Sequence, residues 1–325
     1  MVVVGIDVGY GDTKVVGLDG KRSLFPSRWA VTETESWGIG GKIPVLSTDG
    51  QTKFIYGKYA SGSNIRVPQG DGRLASKEAF PLIAAALWET GIQSDGSPAD
   101  LVIGSGTPLG TFDLEMKAAK EALENKVLTI KGPEGETRSF KINSLVMRPQ
   151  GVGAALYLLG KGVITQQPGY GVVIDVGSRT TDVLTINLED MEPVIEISFS
   201  LQLGIGDAVS TLSKKIAKES GFVLPFDLAQ EALSKQIMFR QKPVGGPEVA
   251  EPILNDLASR IIENIRINLR GEVDRITNLI PVGGGANLIG DKFDEIAPGT
   301  TAKIPPEDLQ FANVLGYRDA AERSI

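Results

Sequence analysis

One short passage occurs twice in this chain, and it limits the folds open to the rest. Residues Ile6–Val16 read I-D-V-G-Y-G-D-T-K-V-V; displaced by 168 positions, so that Asp7 falls on Asp175, the chain reads I-D-V-G-S-R-T-T-D-V-L. Ile6, Asp7, Val8, Gly9, Thr13 and Val15 recur as Ile174, Asp175, Val176, Gly177, Thr181 and Val183. Each copy is an apolar run ending in an acid, then a glycine-bearing turn, then resumed apolar–polar alternation. That is the pattern of two strands joined by a tight turn.

The chemistry of such a turn is specific. Glycine lets the backbone approach a ligand, and successive N–H groups turned one way form a concave nest for phosphate oxygens. An Asp beside that nest is a poor phosphate ligand by itself. It becomes sensible with a hydrated Mg²⁺ between carboxylate and phosphate, because Mg²⁺ keeps several waters and is held by one or two carboxylates. One such turn reads equally as an ordinary hairpin with a solvated loop. Two copies of matching chemistry point to a nucleotide's phosphates held from both sides.

Composition removes other chemistries. The 325 residues contain no Cys and no His. Disulfides, thiolate nucleophiles, His-based triads and Cys- or His-ligated metals are therefore excluded, and proton transfer falls to Asp, Glu, Gln or Lys. A net charge of −7 disfavours direct nucleic-acid binding. No run approaches the roughly 20 apolar residues of a membrane span. Met1–Gly5 leads straight into the first hairpin, so no signal peptide is expected and a cytoplasmic address fits best.

Taken in order, the chain reads as follows. Residues 27–72, rich in Gly, Thr and Ser and carrying Trp29 and Trp37, are expected to form a small inserted subdomain whose aromatics are local core. Helices are expected over 77–90, 112–125 (with Glu115 and Ala119 on its solvated side), 152–160, 208–218, 225–235, 253–275 and 309–322. Strands are expected over 100–105, 126–131, 137–142, 144–147, 196–203 and 279–282, and a breaker-rich loop over 242–247. Gly204-Ile-Gly206-Asp207 sits where a helix N-cap belongs. The order of hairpin, sheet and helices, then the same again, predicts an α/β protein of two similar domains with a cleft between them.

No G-x-x-x-x-G-K-[ST] and no complete G-x-G-x-x-G after a strand occurs, which argues against P-loop and Rossmann sites. Gly283-Gly284-Gly285 after an apolar strand is either a tight strand-to-helix turn or a place for backbone to lie against a flat ligand beside a helix N-terminus.

Together these pieces resemble the actin/Hsp70/sugar-kinase superfamily over nearly the whole chain. Gly5–Lys14 looks like its first phosphate loop, Arg148–Ala155 like its first connecting helix and Val173–Asp182 like its second phosphate loop. Pro281–Ala286 looks like its adenosine loop and Ala312–Ala321 like its second connecting helix. Within the superfamily, D-V-G-Y-G-D-T-K and the Gly-Thr-Pro-Leu passage at 106–146 are most similar to the plasmid-segregation actins (the ParM group) and to the short actin-like proteins of thermoplasmatal archaea.

The resemblance implies two actin-like (ribonuclease-H-like) domains around a nucleotide cleft. The first would take 1–150 with 313–325; the second, 151–312, would carry an inserted helical subdomain at about 205–275. It implies ATP or ADP with Mg²⁺ as ligands. Asp7 and Asp175 would hold the hydrated metal. Gly9, Tyr10, Gly11 and Asp12 would line the phosphates, with Lys14 reaching the β/γ oxygens. Gln150 stands where actins orient the attacking water and ParM-type relatives carry Glu. Gly177, Ser178, Arg179 and Thr180 would form the second nest, and Asp182 would help position Mg²⁺ or water. Gly206 and Asp207 would approach the nucleotide, and Gly283, Gly284, Gly285 and Ala286 would hold ribose and base. Arg179 departs from the small or acidic residue usual there; it either adds a cation at the γ-phosphate or projects into solvent.

Three functions remain open at this stage. The first is a cytomotive ATPase that hydrolyses slowly, because Gln is no strong base, and joins copies of itself head to tail. The second is a small-molecule kinase with Asp12 as its base. The third is a nucleotide-dependent switch that does not polymerise. Chaperone members carry a further substrate domain, and other branches require His or Cys. A DNA link, if present, would come through an adaptor protein.

Overall fold

Val2–Val8 (β1) is apolar on both faces up to its last turn because both faces become covered. It forms an antiparallel meander with Asp12–Val16 (β2) and Arg22–Pro26 (β3), the third strand being one that the sequence pattern does not announce. This computed structural model describes residues 1–33, 43–61, 64–68, 70 and 73–325. They form two compact units, Met1–Tyr157 with Asn313–Ile325, and Leu158–Ala312.

In the first unit, Trp29–Val31 (β4) pairs with Phe54–Tyr56 (β5), and the helix Phe80–Glu89 (α1) follows. Ala99–Thr107 (β6) runs parallel to β1 and is followed by the helix Phe112–Leu123 (α2). Val127–Lys131 (β7) and Thr137–Pro149 (β8) make a hairpin, and Val152–Gly160 (α3) carries the chain toward the second unit. The sheet order is β3-β2-β1-β6-β8-β7.

Three expectations need correction here. Residues 137–142 and 144–147 are one strand. The register slips between Leu101↔Ile142 and Val102↔Ser144, leaving Asn143 as a bulge, and the buried positions change phase there. That phase change made one strand look like two. Glu115 is buried instead of solvated, with its Oε1 accepting from Thr111 Oγ1 at 2.5 Å. The described part of 27–72 has no core of its own: Trp29, Leu46, Phe54 and Tyr56 join the same cluster as Val4, Ile6 and Leu82. Trp29 stacks edge-on to Phe54 and is core, as its type suggested. Trp37 lies outside the described residues.

The second unit repeats the plan with fewer strands. Tyr170–Val176 (β9) and Thr181–Asn187 (β10) form the second hairpin, and Glu192–Pro193 (β11) and Phe199–Leu201 (β12) both pair with β10. The helices Ile205–Ser220 (α4) and Phe226–Glu231 (α5) follow. Gln236–Phe239 (β13) then pairs with Lys242–Gly245 (β14). The supposed loop at 242–247 is therefore half a hairpin, and the insert is not wholly helical.

The helix Pro247–Leu269 (α6) starts six residues before the expected Ile253 and continues through Pro252. Ala250, Leu254 and Leu257 lie on its buried stripe, and their burial offsets the missing N–H. It ends at Leu269, with a 3₁₀ turn over 270–275. Ile276–Val282 (β15) runs parallel to β9, as β6 does to β1. Two short helices, Ala286–Ile289 (α7) and Pro306–Leu309 (α8), precede Ala312–Glu322 (α9), so the expected last helix is two pieces. The strand expected over 196–203 shrinks to β12 after a 3₁₀ turn.

Residues 313–325 return to the first unit, where α9 covers the sheet face opposite α1 and α2, with Val3, Val102 and Ala321 in one cluster. Its contact with the start of α3 depends on glycine. A Cβ on Gly316 would stand 1.8 Å from Gly153 O, and one on Gly153 would stand 2.4 Å from the Tyr317 ring. The Asn313 carboxamide oxygen accepts from Gly151 N at 3.0 Å and Ala154 N at 3.1 Å, capping α3 from 160 residues away. Substituting Gly316→Ala is expected to cost about 2 kcal/mol in urea unfolding through overpacking. Asn313→Ala is expected to cost about 1 kcal/mol through loss of the cap.

Candidate functional site

Each unit carries its own acid-and-glycine turn. β1, β6 and β8 run parallel, which brings Asp7, Thr107 and Gln150 to the carboxyl ends of neighbouring strands, where open α/β sheets place ligands. Asp7 is 2% exposed. Its Oδ2 takes an ion pair from Lys14 Nζ at 3.0 Å, directly across the ladder. Its Oδ1 is buried with no hydrogen-bond partner among the described residues. Burying half of a carboxylate unsatisfied is costly unless something else fills the place.

The turn after Asp7 is closed by Gly9 N–H donating to Asp12 O at 3.1 Å; a Cβ on Gly9 would stand 2.7 Å from that oxygen. Ser27 N donates to Gly11 O at 2.8 Å, and the Ser27 and Thr13 hydroxyls meet at 2.9 Å. The turn is thus held from β3 by a residue the sequence pattern does not mark. Gln150 N donates to Thr107 O at 2.9 Å, so the end of β6 fixes the backbone of Gln150 before α3 begins.

In the second unit, Gly177 N donates to Thr180 O at 2.9 Å, closing the matching turn. Asp175 faces Asp182 across the ladder, both buried, where the first hairpin has Asp7 facing Lys14. Like charges directly opposite destabilise a hairpin. Asp182 is partly relieved by hydroxyl donors, Ser200 Oγ to Oδ1 and Thr180 Oγ1 to Oδ2 at 3.4 Å.

The three glycines after β15 reach this same acid. Gly283 has φ +87°, and a Cβ there would stand 2.3 Å from Asp175 Oδ1. Gly283 N donates to Leu309 O and Gly285 N to Val176 O, both at 2.9 Å, while a Cβ on Gly285 would meet Val176 at 2.4 Å. Gly284 is half-buried between them, and Ala286 opens α7 with its N–H on Gly283 O. Arg179 is exposed at the tip of the second turn.

Gly206 and Asp207 sit at a helix N-terminus, as their pattern suggests. Helix α4 begins at Ile205, three residues before the expected start. Ile205 N donates to Gly177 O at 3.0 Å and Gly206 N to Ser178 O at 2.8 Å. The helix start is therefore docked on carbonyls of the second turn. The Asp207 carboxylate accepts from Gly204 N at 3.0 Å as the third residue of the helix, a capping-box contact.

In each unit the acids present suit a hydrated divalent cation better than a caged one. Among the described residues, Asp7 of the first unit offers one buried oxygen with no other partner, Asp175 and Asp182 of the second offer adjacent carboxylates, and no group of three or more acids that could cage a bare ion occurs.

Comparison with known proteins agrees with this geometry. The family described as "Actin like proteins N terminal domain" matches residues 5–153, and "Archaeal actin homologue MreB-like, C-terminal" matches 173–295. The fold is actin-like, with two domains of mixed α/β content. The chain is 84% identical to an archaeal actin homolog of Thermoplasma volcanium over the full length of both chains, and 84% identical to one of Thermoplasma acidophilum over the same span. The crystal structure of an archaeal actin homolog in complex with ADP has a TM-score of 0.92 at 79% identity, covering 99% of this chain and all of that one. A 15-stranded ParM filament from Clostridium botulinum shares the fold, with a TM-score of 0.84 at 23% identity over 99% of both chains. The chain belongs to the archaeal actin homologs.

Two substitutions separate support from ligand contact. Asp207→Ala is expected to lower stability by about 1 kcal/mol, read by thermal unfolding, through loss of the cap, and to leave ADP affinity within about twofold. Gly283→Ala is expected to lower both, because the strained φ and the encroachment on Asp175 act together.

Proposed function

We propose that this protein binds Mg-ATP through its two acid-and-glycine turns, hydrolyses it slowly and assembles with copies of itself into filaments. The observation that carries the proposal is the buried Asp7 carboxylate beside a glycine-closed turn, whose Oδ1 has no partner among the described residues; the buried Asp175 repeats its place in the second hairpin. The ADP complex of the 79% identical homolog supports nucleotide binding.

Asp7 and Asp175 would hold the metal through its water shell, and Asp182 would help to position it or a water. Gly9, Tyr10, Gly11 and Asp12 in the first turn, and Gly177, Ser178, Arg179 and Thr180 in the second, line the phosphates. Gly283–Ala286 take the ribose and base. A metal bound there would supply charge neutralisation during phosphoryl transfer. Lys14 now neutralises Asp7; with phosphate present, its ammonium lies between two anions and holds the turn to the ligand. Gln150, fixed through Thr107 O, orients water by hydrogen bonding. An amide takes up no proton in this pH range, so turnover is slow and the nucleotide acts as a timer. An assembly of head-to-tail copies then changes with nucleotide state. The protein works in the cytoplasm, with an adaptor protein linking it to any cargo.

Asp7→Asn and Asp175→Asn are expected to weaken Mg-ADP binding at least about tenfold in calorimetry. Gln150→Ala is expected to slow phosphate release about tenfold or more while leaving affinity near wild type. High-speed pelleting decides assembly: more protein should sediment with Mg-ATP than without nucleotide. ATP consumption that rose only with an added small-molecule acceptor, without sedimentation, would replace this reading with the kinase.

A further inference from the structure

Arg73 is a buried charge that the sequence pattern leaves unassigned. It is 4% exposed and sits in a 3₁₀ turn, Arg73–Ala75, packed against α2. Its Nη1 donates to Val8 O at 3.2 Å, on the residue between Asp7 and Gly9. Its guanidinium lies 3.6 Å from the centre of the Tyr10 ring, inside the turn, and Tyr10 OH donates to Gly70 O at 3.3 Å. Its Nε has no hydrogen-bond partner among the described residues.

A buried guanidinium with an unmet N–H is a poor way to stabilise a core, and an apolar side chain of similar volume often serves as well. Among the described residues, the polar contacts of Arg73 fall on the same short turn, one on its entering strand and one on its central ring. The ring is rigid and the guanidinium planar, so the stack fixes the plane of residue 10 and with it the direction of the neighbouring amides. The charge also stands behind the turn in a dry setting, where a cation favours an anion far more than it does in water.

The polar atoms nearby fit the same reading. Ser105 Oγ, Thr107 Oγ1 and Glu115 Oε2 are buried without hydrogen-bond partners. By strand alternation Ser105 and Thr107 share the sheet face of Ile103, the face on which α2 packs, while Gly104 and Gly106 abut Tyr317 on the other. The layer beneath α2 is therefore polar at the strand ends and apolar behind them.

We infer that Arg73 is a positioning residue for the first turn, holding Val8 and Tyr10 so that the turn's amides are set for the phosphates of a bound nucleotide. The inference rests on the nucleotide reading above. It assigns to the surface segment before α1 a direct hold on ligand affinity.

The test is Mg-ADP calorimetry on the full chain, with thermal unfolding without nucleotide as the control for folding. Arg73→Gln and Tyr10→Leu should each weaken binding about tenfold. The double variant should be little weaker than either single one, because both break the same contact. Arg73→Lys should unfold near wild type yet recover only part of the affinity, since an ammonium cannot stack as a guanidinium does. Tyr10→Phe keeps the ring and should lose clearly less affinity than Tyr10→Leu. The inference is overturned if folded Arg73→Gln binds as wild type does, or if the two losses add. It is equally overturned if Tyr10→Phe loses as much as Tyr10→Leu. Tyr10→Leu keeps the test decisive should Arg73→Gln fail to fold, because an unchanged affinity there sinks the stack. A wild-type protein that bound no Mg-ADP would remove the nucleotide reading itself, a result distinct from indifferent variants of a binding protein.

Discussion

A carboxylate buried at the end of a strand, with glycine backbone pressed against it, is the constraint around which each half of this protein is arranged. In the second unit the contact is direct: residue 283 has no room for a side chain because Asp175 Oδ1 occupies the place a Cβ would take. A buried charge is tolerated only when it is paired or hydrogen-bonded. Asp7 has Lys14 for one oxygen and, among the described residues, nothing for the other. The fold thus bears a cost at the strand end that a hydrated cation would relieve. In the second unit the closed turn after Asp175, the start of α4 docked on that turn and the glycine loop surround the matching acid.

The two hairpins share a backbone plan and differ in charge. The position across the ladder is Lys14 in one and Asp182 in the other. One acid is neutralised by the protein, while the other faces a second acid softened by hydroxyls from Ser200 and Thr180. The first hairpin is thus the better host for an anion and the second for a cation.

Close backbone contact recurs wherever elements must meet without intervening side chains. Gly153 and Gly316 let α3 and α9 touch, Gly204 and Gly206 let α4 rest on the second turn, and Gly285 admits Val176. These contacts keep the strand ends in fixed register with the helices that cap them, so the turns are presented by packed elements and not by free loops.

The duplicated turn, its acids and the glycine loop were legible in the sequence because they depend on local chemistry: an apolar run, an acid and residues able to turn tightly. The periods of α3 and β15 were legible for the same reason. The strand through Asn143 was not, because a bulge shifts the alternation by one. The start of α6 was hidden because Pro252 reads as a stop until the buried stripe around it is seen, and β14 because K-P-V-G-G has strand character only opposite β13. Among the site residues, the helix N-cap at Gly204–Asp207 was legible and is present, while Ser27, Ser200 and Arg73 gave no signal. Their roles come from partners 14 to 65 residues away. Sequence alone determined which chemistry this chain can perform, since residue type and short-range spacing fix the available donors and acceptors. Only tertiary structure decided which of those groups are buried, which are already satisfied by a neighbour and which remain for a ligand, because burial and pairing arise from segments that meet only on folding.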